Sequence, residues 1–280
     1  IGAKRKEIIF TSGGTEANNM ALKGIFFANR DKRKNHIIVS KIEHESILET
    51  CKWLEQHGAK ITLLNVDKEG FVDLNELRKS LTNKTILVSI IHGNNEIGTI
   101  QKLFEIGKIC REKNILFHTD ACQSYTKVLI NVDKMNLDFV TLNAHKIHGP
   151  KGIGALYIRE GIKIDPLIKG GGQEFWIRSG TENVAGIVGF AEAVKITKQN
   201  DVKKMTLLRD KMINEISKIK GAKLNGPSGE HRLCNNINFS FKEIEGEVLG
   251  LYLNSRGIFV STGSACSSHT KKPSNVLMSI

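Results

Sequence analysis

Proline is scarce in this 280-residue chain, with four in all, which argues against a proline-rich linker. No apolar run approaches the about 18 residues that a membrane-spanning helix needs, so none is expected. The first ten residues hold no apolar core followed by a small-residue cleavage site, so no secretory signal is visible. The five cysteines, Cys51, Cys110, Cys122, Cys234 and Cys266, form no C-x-x-C pair and no zinc spacing. Widely spaced thiols in an odd number suit a reducing compartment, so a cytoplasmic protein is expected. Low-complexity tracts and internal repeats are also missing. Lys and Arg outnumber Asp and Glu by 41 to 29, a net charge of +12. The excess is dispersed through Lys32-Arg33-Lys34, Lys203-Lys204 and Lys271-Lys272, with no run of five and no interleaved aromatics. That pattern argues against nucleic-acid binding and for a solvated, lysine-rich surface. An acidic partner is its best functional use.

What is present is the balance of a globular protein, 40% apolar and 25% charged. Strand-length apolar runs (8–11, 37–40, 61–64, 86–91, 115–119, 138–142 and 155–158) alternate with helix-period segments (16–29, 46–57, 104–113). Asp73, with Glu76 three residues on, reads as the N-cap of a short helix ending near residue 81. Such alternation predicts an α/β protein with a mainly parallel sheet covered by helices. Beyond Thr181 the texture changes. A long helical region over 184–220, with a break near Asn200-Asp201, leads to strand 237–241, helix 247–256 and strand 258–261. This predicts a large α/β domain over residues 1–195 and a smaller α+β domain over 196–280. The chain starts without Met, almost directly in a strand, and stops in the apolar Val276-Leu277-Met278-Ser279-Ile280. Both features predict a chain clipped at its ends.

Ligands of such sheets gather at the carboxyl ends of the strands. After the first strand, Ser12-Gly13-Gly14-Thr15-Glu16 leads into a helix whose free N–H groups and dipole suit a phosphate. It is neither a P-loop nor a G-x-G-x-x-G turn, and a plain tight turn reads equally well. Asp120 closes one apolar strand, where an unpaired carboxylate would be costly. Lys146 lies just beyond the next strand, between His145 and Gly149-Pro150-Lys151-Gly152. A lysine to form a Schiff base, an acid to hold a pyridine nitrogen protonated and a phosphate cradle are what pyridoxal phosphate requires. Taken singly, each residue reads as a surface lysine or a capping aspartate. His44 sits at a strand-to-helix connection, where it could stack on a flat ring or shuttle a proton. Asn94-Asn95-Glu96 and Gln123 join the same edge. A metal set of His118, Asp120, His145 and His148 is the alternative. Its spacing is loose and Lys146 would oppose a cation, so no metal is expected within the chain. Four cysteines sit in periodic segments and read as small buried hydrophobes. Cys266 does not: its Gly/Ser surroundings predict an exposed thiol. With a pKa of about 8.5, it needs activation to act as a nucleophile.

These residues resemble the class I cysteine desulfurases of the NifS/IscS type. They are pyridoxal-phosphate enzymes of fold type I, the aspartate-aminotransferase-like fold, with a seven-stranded sheet and a smaller C-terminal α+β domain. The resemblance runs essentially end to end. It is carried by Thr11-Ser12-Gly13-Gly14-Thr15-Glu16, Glu43-His44, Asn94-Asn95-Glu96-Ile97-Gly98, His118-Thr119-Asp120-Ala121-Cys122-Gln123, His145-Lys146-Ile147-His148-Gly149-Pro150-Lys151-Gly152, Arg178-Ser179-Gly180-Thr181 and Gly263-Ser264-Ala265-Cys266. It implies that Lys146 holds the cofactor and shuttles the substrate Cα proton. Asp120 pairs with the ring nitrogen and His44 stacks on the ring. Gln123 and Asn95 contact the ring oxygen, Asn95 also lying near the substrate carboxylate. Gly14, Thr15, Asn143 and His145 take the phosphate, joined by Thr181 from a second subunit. Cys266 removes sulfur from L-cysteine as a persulfide, L-alanine leaves, and the sulfur passes to an acceptor such as an iron–sulfur scaffold protein. Any metal contact of Cys266 would come only through a cluster shared with that scaffold.

The sequence departs from the family pattern at Asn143, where many members carry serine. It departs again at Phe175-Trp176, which replaces a commonly basic stretch and is expected to alter dimer or substrate-access contacts. The family's N-terminal Asn/Ala/Thr-rich motif and its substrate-carboxylate arginine fall outside the 280 residues. Two other readings stay open at this point. One is a selenocysteine lyase or another fold-type-I enzyme, against which the thiol of Cys266 argues. The other is a non-catalytic fragment or assembly subunit that binds a scaffold partner.

Overall fold

A computed structural model describes residues 1–30, 34–262 and 273–280. Cys266, its neighbours 263–268 and the basic residues Lys32, Arg33, Lys271 and Lys272 lie outside the described residues. Seven strands build the large sheet: β1 (Ile8–Thr11), β2 (His36–Ser40), β3 (Lys60–Leu64), β4 (Thr85–Ser89), β5 (Leu116–Asp120), β6 (Phe139–Asn143) and β7 (Gly154–Ile158). Their order across the sheet is β1-β7-β6-β5-β4-β2-β3. Five strands, β2 to β6, pair in parallel, while β7 runs antiparallel between β6 and β1. The carboxyl ends of β1, β2, β4, β5 and β6 therefore share one edge.

Most of these strands are apolar on both faces because both are covered. Helices α1 (Gly14–Ala28) and α2 (Glu45–Gln56) cover one face. There Met20, Leu22, Ile25 and Leu54 meet Ile9, Ile37, Val39, Leu87, Phe139 and Leu156. Helices α3 (Leu74–Ser80), α4 (Leu103–Glu112) and α5 (Val184–Ile196) cover the other. Leu77, Ile106, Ile109 and Phe190 belong to that layer with Ile38, Val88, Phe117 and Val140. The period-2 alternation along β2 thus sends Ile37 and Val39 to one core and Ile38 to the other. The expected Asp73 cap is present, its carboxylate accepting from the N–H groups of Asn75 and Glu76.

Three readings differ in detail. The helical break falls at residues 197–198, because α6 (Gln199–Ile216) starts just before Asp201, whose carboxylate favours the first turn of a helix. After α7 (Gly246–Ser255), residues 258–261 form no strand. Ile258, Phe259 and Val260 are largely exposed and lack the cross-strand partner a strand needs. The small sheet holds only β8 (Ala222–Leu224) and β9 (Phe239–Phe241), antiparallel to each other. Finally, Cys51 and Cys110 are buried in helices as expected; Cys234 is buried too, but in a turn, and half-buried Cys122 also sits in a turn.

The segment between β8 and β9 is pinned to the loop after β4. Buried Arg232 donates to the carbonyls of Pro227 and Asn225 and to Asn236 Oδ1. Asn236 in turn donates to the carbonyls of Asn95 and Glu96. The last residues return to the same loop: Ser274 donates to Glu96, and Val276 packs with Ile42, Ile91 and Ile97.

Candidate active site

The tight connection between β1 and α1 forms the first wall. Ala17 N–H donates to Gly13 O as the first bond of the helix, so the N–H groups of Gly14, Thr15 and Glu16 precede any intrahelical acceptor. A Cβ at Gly14 would stand 2.6 Å from Cys122 Sγ, and one at Gly154 would stand 2.7 Å from the Gly13 backbone. Only glycines allow the helix start, β7 and the turn after β5 to approach this closely. Glu16 holds the turn together. Its carboxylate accepts from Ser12 N–H (2.9 Å) and from Arg178 Nε (2.8 Å), which keeps it below the usual carboxylate range against the opposing effect of burial. Arg178 in this way ties the polar loop 170–183 to the cradle.

Asp120 ends β5 and is 4% exposed. Its Oδ1 accepts from Cys122 N–H (2.9 Å) and its Oδ2 from Asn18 Nδ2 (2.7 Å). Cys122, which reads in the sequence as a structural hydrophobe, is on the floor of the site. Burial and the adjacent Asp120 push its thiol well above the ordinary value, with Lys146 opposing them. Asn143 ends β6, buried, its Oδ1 without a partner among the described residues and its Nδ2 3.7 Å from the position of a Gly14 Cβ. One short 3-10 turn, His145–Ile147, then carries His145 and Lys146, both exposed. Burial, then the charges of Lys146 and Lys151, hold the His145 imidazole below its ordinary pKa. Lys127 clamps the turn: its Nζ donates to the carbonyls of Gln123 (3.0 Å) and Lys146 (3.3 Å).

His44 caps α2, its Nδ1 accepting from Ser46 N–H at 3.1 Å. Beside it, buried Glu43 accepts at Oε1 from Ser40 Oγ and from Ile91 N–H, joining the ends of β2 and β4. Burial pushes the Glu43 carboxyl up to about 8, and Asp120 adds to the rise. Asn94 contributes no side chain to the edge; it donates to Ile42 O and accepts from Glu96 and Ile97, holding the loop. Asn95 and Gln123 are half-buried on that edge. Thr181 is exposed and lines a small cavity with Thr11, Ser12, Arg178 and Gly180. Nearby, Glu174, Phe175 and Trp176 all lie in the left-handed region (φ 44°, 59° and 67°), leaving Phe175 and Trp176 exposed. Of the alternative metal set, His118 is buried inside the sheet with its nitrogens on the hydroxyls of Ser89 and Thr141. Among the described residues no group of three His, Cys, Asp or Glu side chains could hold a metal. No described helix is long and apolar enough to cross a membrane.

Asp120 and the turn carrying Lys146 therefore follow the neighbouring strands β5 and β6, and the start of α1 follows β1 on the same edge. The class-V aminotransferase pattern matches residues 1–280, the whole chain. This chain belongs to the class-V aminotransferase family. Among its relatives in that family is the cysteine desulfurase IscS of Dictyoglomus turgidum, 54% identical over all of this chain and 72% of the relative. The cysteine desulfurase IscS of Methanosarcina thermophila is also 54% identical, over 99% of this chain and 69% of the relative. Among solved structures, a NifS-like protein superposes with a TM-score of 0.88 at 39% identity, covering 99% of this chain and 73% of its own. SspA in complex with cysteine gives a TM-score of 0.87 at 38% identity, covering 99% and 78%.

Class-V aminotransferases depend on pyridoxal phosphate. The residues present fit that group. The cradle would be filled by a Cβ at Gly14, and Asp120 keeps acceptor capacity after its two bonds, as a protonated ring nitrogen requires. Sequence reasoning missed Asn18, Ser46 and Lys127. Asn18 could have been found: it stands four residues after Gly14 and three before Ala21, on the apolar stripe of α1.

Proposed function

We propose that this chain converts L-cysteine to L-alanine and takes the sulfur onto Cys266 as a persulfide. The observation that carries the reading is the juxtaposition of Lys146, Asp120 and the α1 cradle in a chain 54% identical to cysteine desulfurases. When bound, pyridoxal phosphate supplies an electron sink for negative charge developing at the substrate Cα. Lys146 Nζ holds the cofactor and moves the Cα proton. Asp120 pairs with the ring nitrogen, its two oxygens oriented by the bonds they accept from Asn18 Nδ2 and Cys122 N–H. His44 stacks on the ring. Gln123 and Asn95 reach the ring oxygen, and Asn95 the substrate carboxylate. Gly14, Thr15, Asn143 and His145 bind the phosphate. The Cys266 thiolate attacks the substrate sulfur, so an S–S bond forms, the Cβ–S bond breaks and a proton is delivered to carbon.

The same reading divides the chain at residues 195/196 and makes it a homodimer, Thr181 of one copy completing the phosphate site of the other. An iron–sulfur scaffold protein or another sulfur acceptor takes the sulfur on. A cytoplasmic setting suits the free thiols of Cys51, Cys110, Cys122 and Cys234. The test is to load the protein with pyridoxal phosphate, add L-cysteine and measure alanine together with the mass of the peptide bearing Cys266. Alanine formation with one added sulfur atom on that peptide supports the assignment. Unchanged alanine production in Cys266→Ala would remove Cys266 from its role.

A further inference from the structure

Two of the side chains assigned to the cofactor, Asp120 and His44, come from different strand ends, yet a continuous row of hydrogen bonds joins them. Asn18, 1% exposed inside α1, places its Nδ2 2.7 Å from Asp120 Oδ2 and 2.8 Å from Ser46 Oγ. A carboxylate can only accept, so the amide must turn its NH2 group toward Asp120, and its two hydrogens serve the two oxygens. The cost of that orientation is visible: Asn18 Oδ1 is buried with no partner among the described residues. Leucine would remove the orphaned oxygen but could donate to neither neighbour.

Ser46 continues the row. Its Oγ, accepting from Asn18, is 2.8 Å from His44 Nδ1, and its own N–H donates to that nitrogen at 3.1 Å. A ring nitrogen that accepts an N–H bond carries no proton, so the hydroxyl hydrogen also points toward Nδ1, and the ring proton of neutral His44 belongs on Nε2. Donation runs outward from Asn18, to Asp120 on one side and through Ser46 to His44 on the other.

We propose that Asn18 is a positioning residue that orients Asp120 and, through Ser46, holds His44 in the Nε2–H tautomer. The proposal rests on the reading of Asp120 and His44 as cofactor-facing groups. Residues 18 and 46 then act on the site without touching the cofactor.

The test uses protein labelled with 15N-histidine, examined by NMR with pyridoxal phosphate bound and after its removal. In the unaltered protein the His44 nitrogens should report an unprotonated Nδ1 and a protonated Nε2. Asn18→Leu should release the Ser46 hydroxyl and shift both nitrogen signals. Ser46→Ala should shift them similarly, and the double variant should add little to either, as members of one row behave. Asn18→Leu should also weaken cofactor retention about tenfold, the scale of one lost hydrogen bond to a charged group. A proton on Nδ1 in the unaltered protein would overturn the proposal. So would His44 signals unmoved by Asn18→Leu. If Asn18→Leu does not fold, Ser46→Ala at the half-exposed start of α2 decides alone by the same signals. Asp120→Ala separates the cofactor site from the row of bonds. Unchanged cofactor retention in that variant defeats the site reading, while the His44 signals still judge the row of bonds.

Discussion

At the carboxyl edge of the large sheet, polar side chains are held across elements. Asp120 is bound from α1 and from its own turn, Glu43 joins β2 to β4, and Glu16 meets Arg178 from a loop more than 150 residues away. Residues 222–262 are built differently. Their strands are three residues each, α7 buries no residue, and Leu251, Tyr252 and Phe259 are mostly exposed, Phe259 at 83%. What anchors this region is a few bonds around Arg232 and Asn236 to the loop after β4. The contrast separates two tasks. Chemistry that depends on fixed donors is concentrated where several elements over-determine each side chain. The later region, with few buried apolar contacts, belongs to the low-stability end of the structure.

Substitutions can break or sharpen that contrast. The largest effect is expected at the edge itself: Lys146→Ala should lower alanine formation at least about 10³-fold, with the melting temperature unchanged, in a cysteine turnover assay paired with thermal unfolding. Residue size gives the next. A Cβ at Gly107 would stand 1.9 Å from the Met135 carbonyl oxygen, backbone that cannot easily yield. Gly107→Ala should therefore cost about 3 kcal/mol in denaturant unfolding. Proton binding supplies a third. With a folded pKa of about 8, raised above the ordinary value, Glu43 binds its proton more tightly in the folded state. Stability is lost as pH rises from the ordinary glutamate range toward 8, by at most about 1.4 kcal/mol per pH unit. Glu43→Gln should flatten that slope in unfolding curves measured across the window. The smallest effect has the opposite sign and lies in the later region. A Cβ at Gly250, inside α7, meets only Thr262 and Val260 at ordinary contact distances of 3.6 and 3.8 Å. Gly250→Ala should stabilise by about 0.5–1 kcal/mol through helix propensity. Equal responses to alanine at Gly107 and Gly250 would erase the distinction between the two regions.

How much of this was legible beforehand follows the same division. The strands of the large sheet are readable because burial on both faces leaves nearly unbroken apolar runs, as in Ile37-Ile38-Val39. Asp120 and Lys146 are readable because a carboxylate and a lysine at strand ends need a reason. The antiparallel direction of β7 follows from pairing with β1 and β6, which no local pattern in Gly154–Ile158 announces. The expected strand at 258–261 failed because β-forming composition without a partner does not make a strand. Asn18 and Lys127 escaped notice because their work is done across the sequence: Asn18 reaches Asp120 102 positions away, and Lys127 reaches the Lys146 carbonyl 19 positions away.

The central claim is that the edge of the large sheet is a pyridoxal phosphate site whose anchoring lysine is Lys146. Borohydride reduction of the cofactor-loaded protein, followed by peptide mapping, tests it most directly, since Lys127 stands close by as a built-in competitor. The account predicts the reduced cofactor on the peptide carrying Lys146. Label on Lys127, or no visible absorbance band and no labelled peptide at all, would contradict it.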